Sequence, residues 1–90
     1  MHFIHNENQI VLYSDNEELL AEITFPYIDK DTVNINHTFV DASLRGQGIA
    51  AKLMLEVVAG LELRQLKAVP TCSYAKGWFE KHTEYRYLLK

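Results

Sequence analysis

The stretch Val33-Asn34-Ile35-Asn36-His37-Thr38-Phe39-Val40, then Asp41-Ala42-Ser43-Leu44, then Arg45-Gly46-Gln47-Gly48-Ile49-Ala50 decides the fold. Its first part alternates as a strand does. From Gly46 to about Leu63 the period changes: Ile49, Leu53, Val57 and Leu61 recur on one face, with Ala50, Met54 and Val58 beside them. That spacing predicts a helix, and only Lys52 and Glu56 give it a polar stripe. A strand that runs through a glycine turn into a helix presents unpaired backbone N–H groups at the helix start. The aligned peptide dipoles add roughly half a positive charge there, so the spot favours anions. Gly46 and Gly48 carry no Cβ and let a bulky anion lie against the backbone. Arg45 adds a fork of donors and Gln47 an amide. Alone, these residues predict either a site for a diphosphate or a tight turn that the glycines merely shape, with Arg45 a solvated surface charge.

Working outward, the residues before Val33 read as strands punctuated by turns. Asn6-Glu7-Asn8 separates Phe3-Ile4 from Ile10-Val11-Leu12-Tyr13, and Ser14-Asp15-Asn16 closes the second run. Leu19, Ala21, Ile23 and Phe25 fall on one face, with Glu18, Glu22 and Thr24 on the other. Pro26 ends that strand or marks an edge, and Asp29-Lys30-Asp31 is a polar turn. After the long helix, Lys67 to Ser73 is extended, and a second helix runs from about Ala75 to His82. The order is β-β-β-β-α-β-α. The first four strands form an antiparallel meander, and Val33 to Ser73 makes a right-handed crossover between two parallel strands.

Ninety residues make one domain, residues 1–90. The composition, 48% hydrophobic and 23% charged, is that of a folded chain rather than a disordered one. A net charge of -3 with no basic stripe argues against nucleic acid as a partner. One cysteine, Cys72, excludes an intrachain disulfide. No apolar run approaches the ~20 residues that span a bilayer, and no signal peptide is legible. The expectation is a cytoplasmic protein without membrane partners. No histidine pair has metal-ligand context, so no metal is expected.

Two other phosphate motifs do not fit. The dinucleotide fingerprint would need its third glycine at Ala51 and an early βαβ unit. The lysine-containing P-loop pattern is missing as well. Arg45-Gly46-Gln47-Gly48-Ile49-Ala50, placed between the fourth strand and the long helix, instead resembles the Arg/Gln-x-x-Gly-x-Gly/Ala signature of the GNAT N-acetyltransferase superfamily. His37-Thr38-Phe39-Val40, Pro70-Thr71-Cys72-Ser73-Tyr74-Ala75 and Trp78-Phe79-Glu80-Lys81-His82 with Tyr85 extend the likeness to short, single-domain YjdJ-like members. It covers Thr32 to Leu89.

This resemblance implies an α+β GNAT (acyl-CoA N-acyltransferase) fold: a mostly antiparallel mixed sheet, one βαβ crossover and a C-terminal helix. It implies acetyl-CoA as co-substrate and an amine as acceptor. The strands Val33–Asp41 and Lys67–Ser73 would splay apart and admit the pantetheine arm along the backbone edge at Phe39 and Val40. The diphosphate would lie on the amides of Gln47, Gly48, Ile49 and Ala50, beside Arg45 and Gly46. Ser73 and Lys76 would flank the coenzyme's other side.

Catalytic roles stay open at this level. Cys72 is either a buried small hydrophobe or, near the thioester, a nucleophile, an acid or a wall of the acyl site. His37 shares a face with Val33, Ile35 and Phe39 by parity, which makes it either a core histidine or the base for the incoming amine. Tyr74 and Tyr85 both compete for the role of thiolate acid. Trp78 and Phe79 read as core. The helices that wall the acceptor site in larger members have no counterpart, so that site is open or completed by a partner. The expected activity is N-acetyl transfer to an amine, by a monomer or weak homodimer. The alternative is a non-catalytic module or adaptor that binds CoA or acyl-CoA.

Overall fold

Asn36 interrupts the long extended segment, and this break organises the molecule. The computed structural model describes residues 2–90. Among them lie seven strands and two α-helices: β1 (Ile4–Asn6), β2 (Gln9–Tyr13), β3 (Leu19–Thr24), β4 (Tyr27–Asp29), β5 (Thr32–Ile35), β6 (His37–Val40), α1 (Ile49–Arg64), β7 (Lys67–Pro70) and α2 (Ser73–Lys81). Short 3-10 turns cover Ala42–Leu44 and Thr83–Leu88. The strands form two sheets, β1-β2-β3-β6 and β4-β5-β7; only β5 and β7 run parallel. The fold is the expected α+β arrangement, with the central strand divided and a short strand, β4, added where the sequence suggests only a strand end and a polar turn.

The division is a β-bulge. Thr24 is paired with His37 in the β3–β6 ladder, yet Asn36 also donates its N–H to the Thr24 carbonyl (3.3 Å). Two residues therefore oppose one, which bends the strand and shifts its alternation. Val33 and Ile35 are fully buried, whereas His37 and Phe39 are exposed. The expectation that His37 shares a face with Val33 and Ile35 is corrected here. The extra residue turns it to the opposite face.

The same break opens a wedge. β5 stays beside β7 as far as Ile35↔Pro70, and the N–H groups of Thr71 and Cys72 close on the Ile35 carbonyl (3.0 and 3.1 Å). Beyond that point β6 is paired only with β3. Asp41 donates its N–H to the Leu20 carbonyl (2.7 Å). Since peptide groups alternate along an antiparallel ladder, His37 and Phe39 also face β3, and the peptide groups of Thr38 and Val40 face the gap.

α1 forms because its apolar residues recur at helical spacing. It buries Ile49, Leu53, Met54, Val57, Val58 and Leu61 against Ile10, Leu12, Ala21, Ile23, Val33 and Ile35. Each such side chain contributes roughly 1.5–3 kcal/mol by leaving water. The helix begins at Ile49 rather than at the expected Gly46, because Gly46 and Gly48 both take left-handed dihedrals. Gln65, also left-handed, ends it, and the Leu66 N–H returns to the Leu61 carbonyl (2.9 Å). α2 begins at Ser73 with Cys72 as its cap, so Cys72 follows β7 rather than ending it. Trp78 and Phe79 are buried edge to face, 5.2 Å between centroids, as core residues. Among the described residues no helix is long and apolar enough to cross a membrane.

α1 packs on the sheet face that bears Ile10, Ala21 and Ile23. The other face of β1-β2-β3-β6 carries the cross-strand row Ile4, Val11, Glu22 and Phe39. Among the described residues no helix packs on that row, although Val11 within it is buried.

Candidate functional site

The turn into α1 is held from behind by Asp41. Its carboxylate accepts from Ser43 Oγ (2.6 Å) and from the Ser43 N–H (3.0 Å), capping the Ala42–Leu44 turn. These hydrogen bonds, with the nearby charge of Arg45, hold the Asp41 carboxyl below its ordinary value. Gly46 (φ +84°) and Gly48 (φ +73°) then swing the chain into the helix. Both conformations are costly for any residue with a Cβ.

The helix start is left open. The first intrahelical bond runs from the Lys52 N–H to the Gly48 carbonyl (3.1 Å), so the amides of Ile49, Ala50 and Ala51 have no partner within the helix. Gly48 offers no side-chain cap, and no carboxylate lies in the first turn. Above these amides is a groove of about 230 Å³ lined by Val40, Leu44, Arg45, Gly46, Gly48, Ile49, Ala50, Ala51 and Tyr74. It shares Ala51 and Tyr74 with a second groove of about 330 Å³ along α2, which Ser73, Gly77, Trp78, Lys81 and His82 complete. An anion at the turn meets free donors, the positive helix end and Arg45 together.

Val40 links this groove to the wedge, with its peptide group on the open edge. Across the gap, Cys72 is a half-buried free thiol whose Sγ accepts the Ala75 N–H (3.4 Å). Tyr74, 37% exposed, lines both grooves. Partial burial raises its pKa further above the ordinary 10.0, and a phenol is protonated at neutral pH in either case. Tyr85 instead stacks on Trp78 (5.4 Å between centroids) and packs against the core. His82 stacks on the same indole at 4.2 Å, and its Nδ1 lies 2.8 Å from the Trp78 carbonyl oxygen. The structure thus separates two tyrosines that the sequence leaves equivalent.

The remaining candidates divide. Val40, Arg45, Gly46, Gly48, Ile49 and Ala50 line one groove, and Ser73 the adjoining one. The Gln47 N–H is taken by the Leu44 carbonyl (3.3 Å), which removes it from the row of free amides. Phe39 turns its peptide group to β3. Lys76 lies on another face of α2, in a groove with Pro70, Phe79 and Arg86. His37 is on the uncovered sheet face, its side chain 51% exposed and its Nε2 3.4 Å from Glu22 Oε1. Glu22 Oε2 accepts from Gln9 Nε2 (2.6 Å). Sequence parity puts Glu22 on the solvent side and gives no sign of its nearness to His37, which depends on the register of β3 against β6. Among the described residues no group of three or more His, Cys, Asp and Glu side chains is disposed to hold a metal ion.

Comparison with known proteins gives a consistent result. The model of the GCN5-related N-acetyl-transferase family matches residues 9–88. The solution structure of a GCN5-like protein from Staphylococcus aureus superposes with a TM-score of 0.82 at 35% identity, covering 99% of this chain and 87% of that one. GCN5 of Tetrahymena shares the fold alone: a TM-score of 0.65 at 16% identity, over 81% of this chain and 48% of that one. Protein NATD1 of Xenopus tropicalis is 32% identical over 68 residues, which is 76% of this chain. The matched part spans 62% of that relative's length.

Proposed function

We propose, from the premise that the chain belongs to the GCN5-related N-acetyltransferase family, that it binds acetyl-CoA at the glycine turn and transfers the acetyl group to an amine. The observation that carries this reading is the uncapped start of α1 beside the open edge of β6. The free amides of Ile49, Ala50 and Ala51, with Arg45, receive the diphosphate. The pantetheine arm pairs with the peptide groups of Thr38 and Val40 as an added strand would. The thioester then comes to rest in the wedge between Val40 and Cys72.

The reaction has a simple proton balance. The ammonium of the acceptor gives one proton to His37, and the neutral amine attacks the thioester carbon. The Val40 N–H stabilises the oxyanion that develops there. The C–S bond breaks, and the thiolate takes its proton from Tyr74. Tyr74 is restored by the proton that the new amide nitrogen sheds. In a variant of this scheme Cys72 carries the acetyl group first, its sulfur forming the thioester while CoA departs. Work in the cytoplasm, as a monomer or weak homodimer, completes the proposal.

The test pairs calorimetry with thiol release. Acetyl-CoA binds, and free thiol appears only when an amine is added. Binding with no release across a broad amine panel favours a non-catalytic CoA module, a reading that the uncovered acceptor side also suits. No binding at millimolar coenzyme removes both. For the Cys72 variant, labelled acetyl-CoA leaves label on Cys72; unchanged turnover by Cys72→Ala eliminates it.

A further inference from the structure

All nine Lys and Arg side chains lie at or beyond position 30, and none falls on β1, β2, β3 or β6. The four-stranded sheet and its turns instead carry Glu7, Asp15, Glu17, Glu18 and Glu22. Its uncovered face mixes apolar side chains with Gln9, Glu22 and His37. Ile4 (47% exposed) and Phe39 (36% exposed) flank the buried Val11 and the largely buried Glu22 in one row. With neighbouring strands about 4.8 Å apart, that row runs some 14 Å from the wedge edge to β1. It leads towards a depression of about 590 Å³ lined by His2, Ile4, Tyr13, Ser14, Asp15 and Leu20.

Glu22 is the unusual member. Its side chain is only 19% exposed, and it lies between apolar neighbours, directly opposite Phe39 on the strand that borders the wedge. A carboxylate has about four acceptor positions; Gln9 takes one, and His37 stands at 3.4 Å from the other oxygen. Capacity for a cation is left.

We infer that this uncovered face is the acceptor side, and that it selects a small primary amine: an ammonium on an apolar stem, with no carboxylate on the carbon that bears it. Glu22 holds the ammonium beside His37. Phe39 and Ile4, the exposed apolar members of the row, take the stem across the buried Val11. A carboxylate next to the amine meets Glu22 as a like charge in a partly desolvated site and is rejected. The inference rests on the acetyl-transfer reading above and adds the class of acceptor to it.

Pentylamine and norleucine differ by one carboxylate, and norleucinamide keeps the bulk of norleucine without the charge. Measured with saturating acetyl-CoA, kcat/KM for pentylamine and norleucinamide exceeds that for norleucine by about tenfold or more. Glu22→Gln raises the KM for pentylamine by about tenfold, as expected for one charged contact, and narrows the preference against norleucine. Equal rates for the three amines, or a Glu22→Gln protein that discriminates as before, overturns the inference while leaving acetyl transfer intact. So does a lysine-containing peptide acetylated faster than every small amine. If no amine releases thiol, the transfer reading fails. The acceptor face is then judged by NMR titration with pentylammonium: shifts at Val11, Glu22 and Phe39 that Glu22→Gln abolishes support it, and shifts elsewhere or none overturn it.

Discussion

Tyr74 and Cys72 lie two positions apart, yet the structure gives them different work. The thiol accepts a backbone N–H and caps α2, so a substitution there alters both chemistry and helix start. The phenol lines both grooves, and burial raises its pKa further. Tyr74→Phe is therefore the cleaner probe: kcat falls about 100-fold, at the lower end of general acid effects, while CoA affinity measured by calorimetry changes less than about twofold. Asp41 tests the turn through pH. Its folded pKa lies below the ordinary 3.8, so its contribution to stability is fully present above that value and is lost as pH falls through the lower folded value. Thermal melts of Asp41→Asn against the wild type should diverge above pH 4 and converge in stronger acid. Parallel curves throughout would remove Asp41 from the turn's support.

The glycine turn is the decisive element, and backbone conformation rather than space is what it demands. A Cβ at Gly48 would meet nothing within 4 Å, but φ is +73°. Gly48→Ala thus costs roughly 1–2 kcal/mol through the left-handed conformation alone and turns the helix start away from its ligand. CoA affinity falls at least about tenfold, read by calorimetry, with α1 still formed by circular dichroism. Much of this element is legible in sequence. Ile49, Leu53, Val57 and Leu61 announce α1, and the paired glycines announce its start, because both signals are local. The bulge at Asn36 is not local: it exists through the pairing of Thr24 with two residues of another strand. Parity counted straight through it puts His37 on the wrong face. Glu22 escapes notice for the same reason, since its partner lies 15 positions away.

At the scale of the molecule, one core binds the two sheets that the wedge separates. Leu53 has no exposed surface and belongs to the cluster that joins Ile23 of one sheet to Val33 of the other. Leu53→Ala should cost about 2–5 kcal/mol and, at about 4–8 °C per kcal/mol for a domain of this size, lower Tm by more than roughly 8 °C. Lys90 adds a tether: its Nζ lies 3.0 Å from Thr32 Oγ1 and 3.3 Å from Asp29 Oδ2, and its N–H reaches the Ala68 carbonyl. Most of the order of strands and helices follows from hydrophobic period and turn chemistry in the sequence; β4, three exposed residues long, does not. The division into two sheets, and with it the wedge, follows from the extra residue at Asn36 together with the break at Phe25-Pro26 between β3 and β4.

The uncapped start of α1 and the open edge of β6 together make up the proposed site for acetyl-CoA. Amide NMR titration of the intact chain with CoA tests it most directly. Saturable shifts confined to Thr38, Val40, Arg45, Gly46, the first turn of α1 and Tyr74 are the predicted result. Shifts that spare the amides of Ile49, Ala50 and Ala51, or no binding at millimolar CoA, would contradict it.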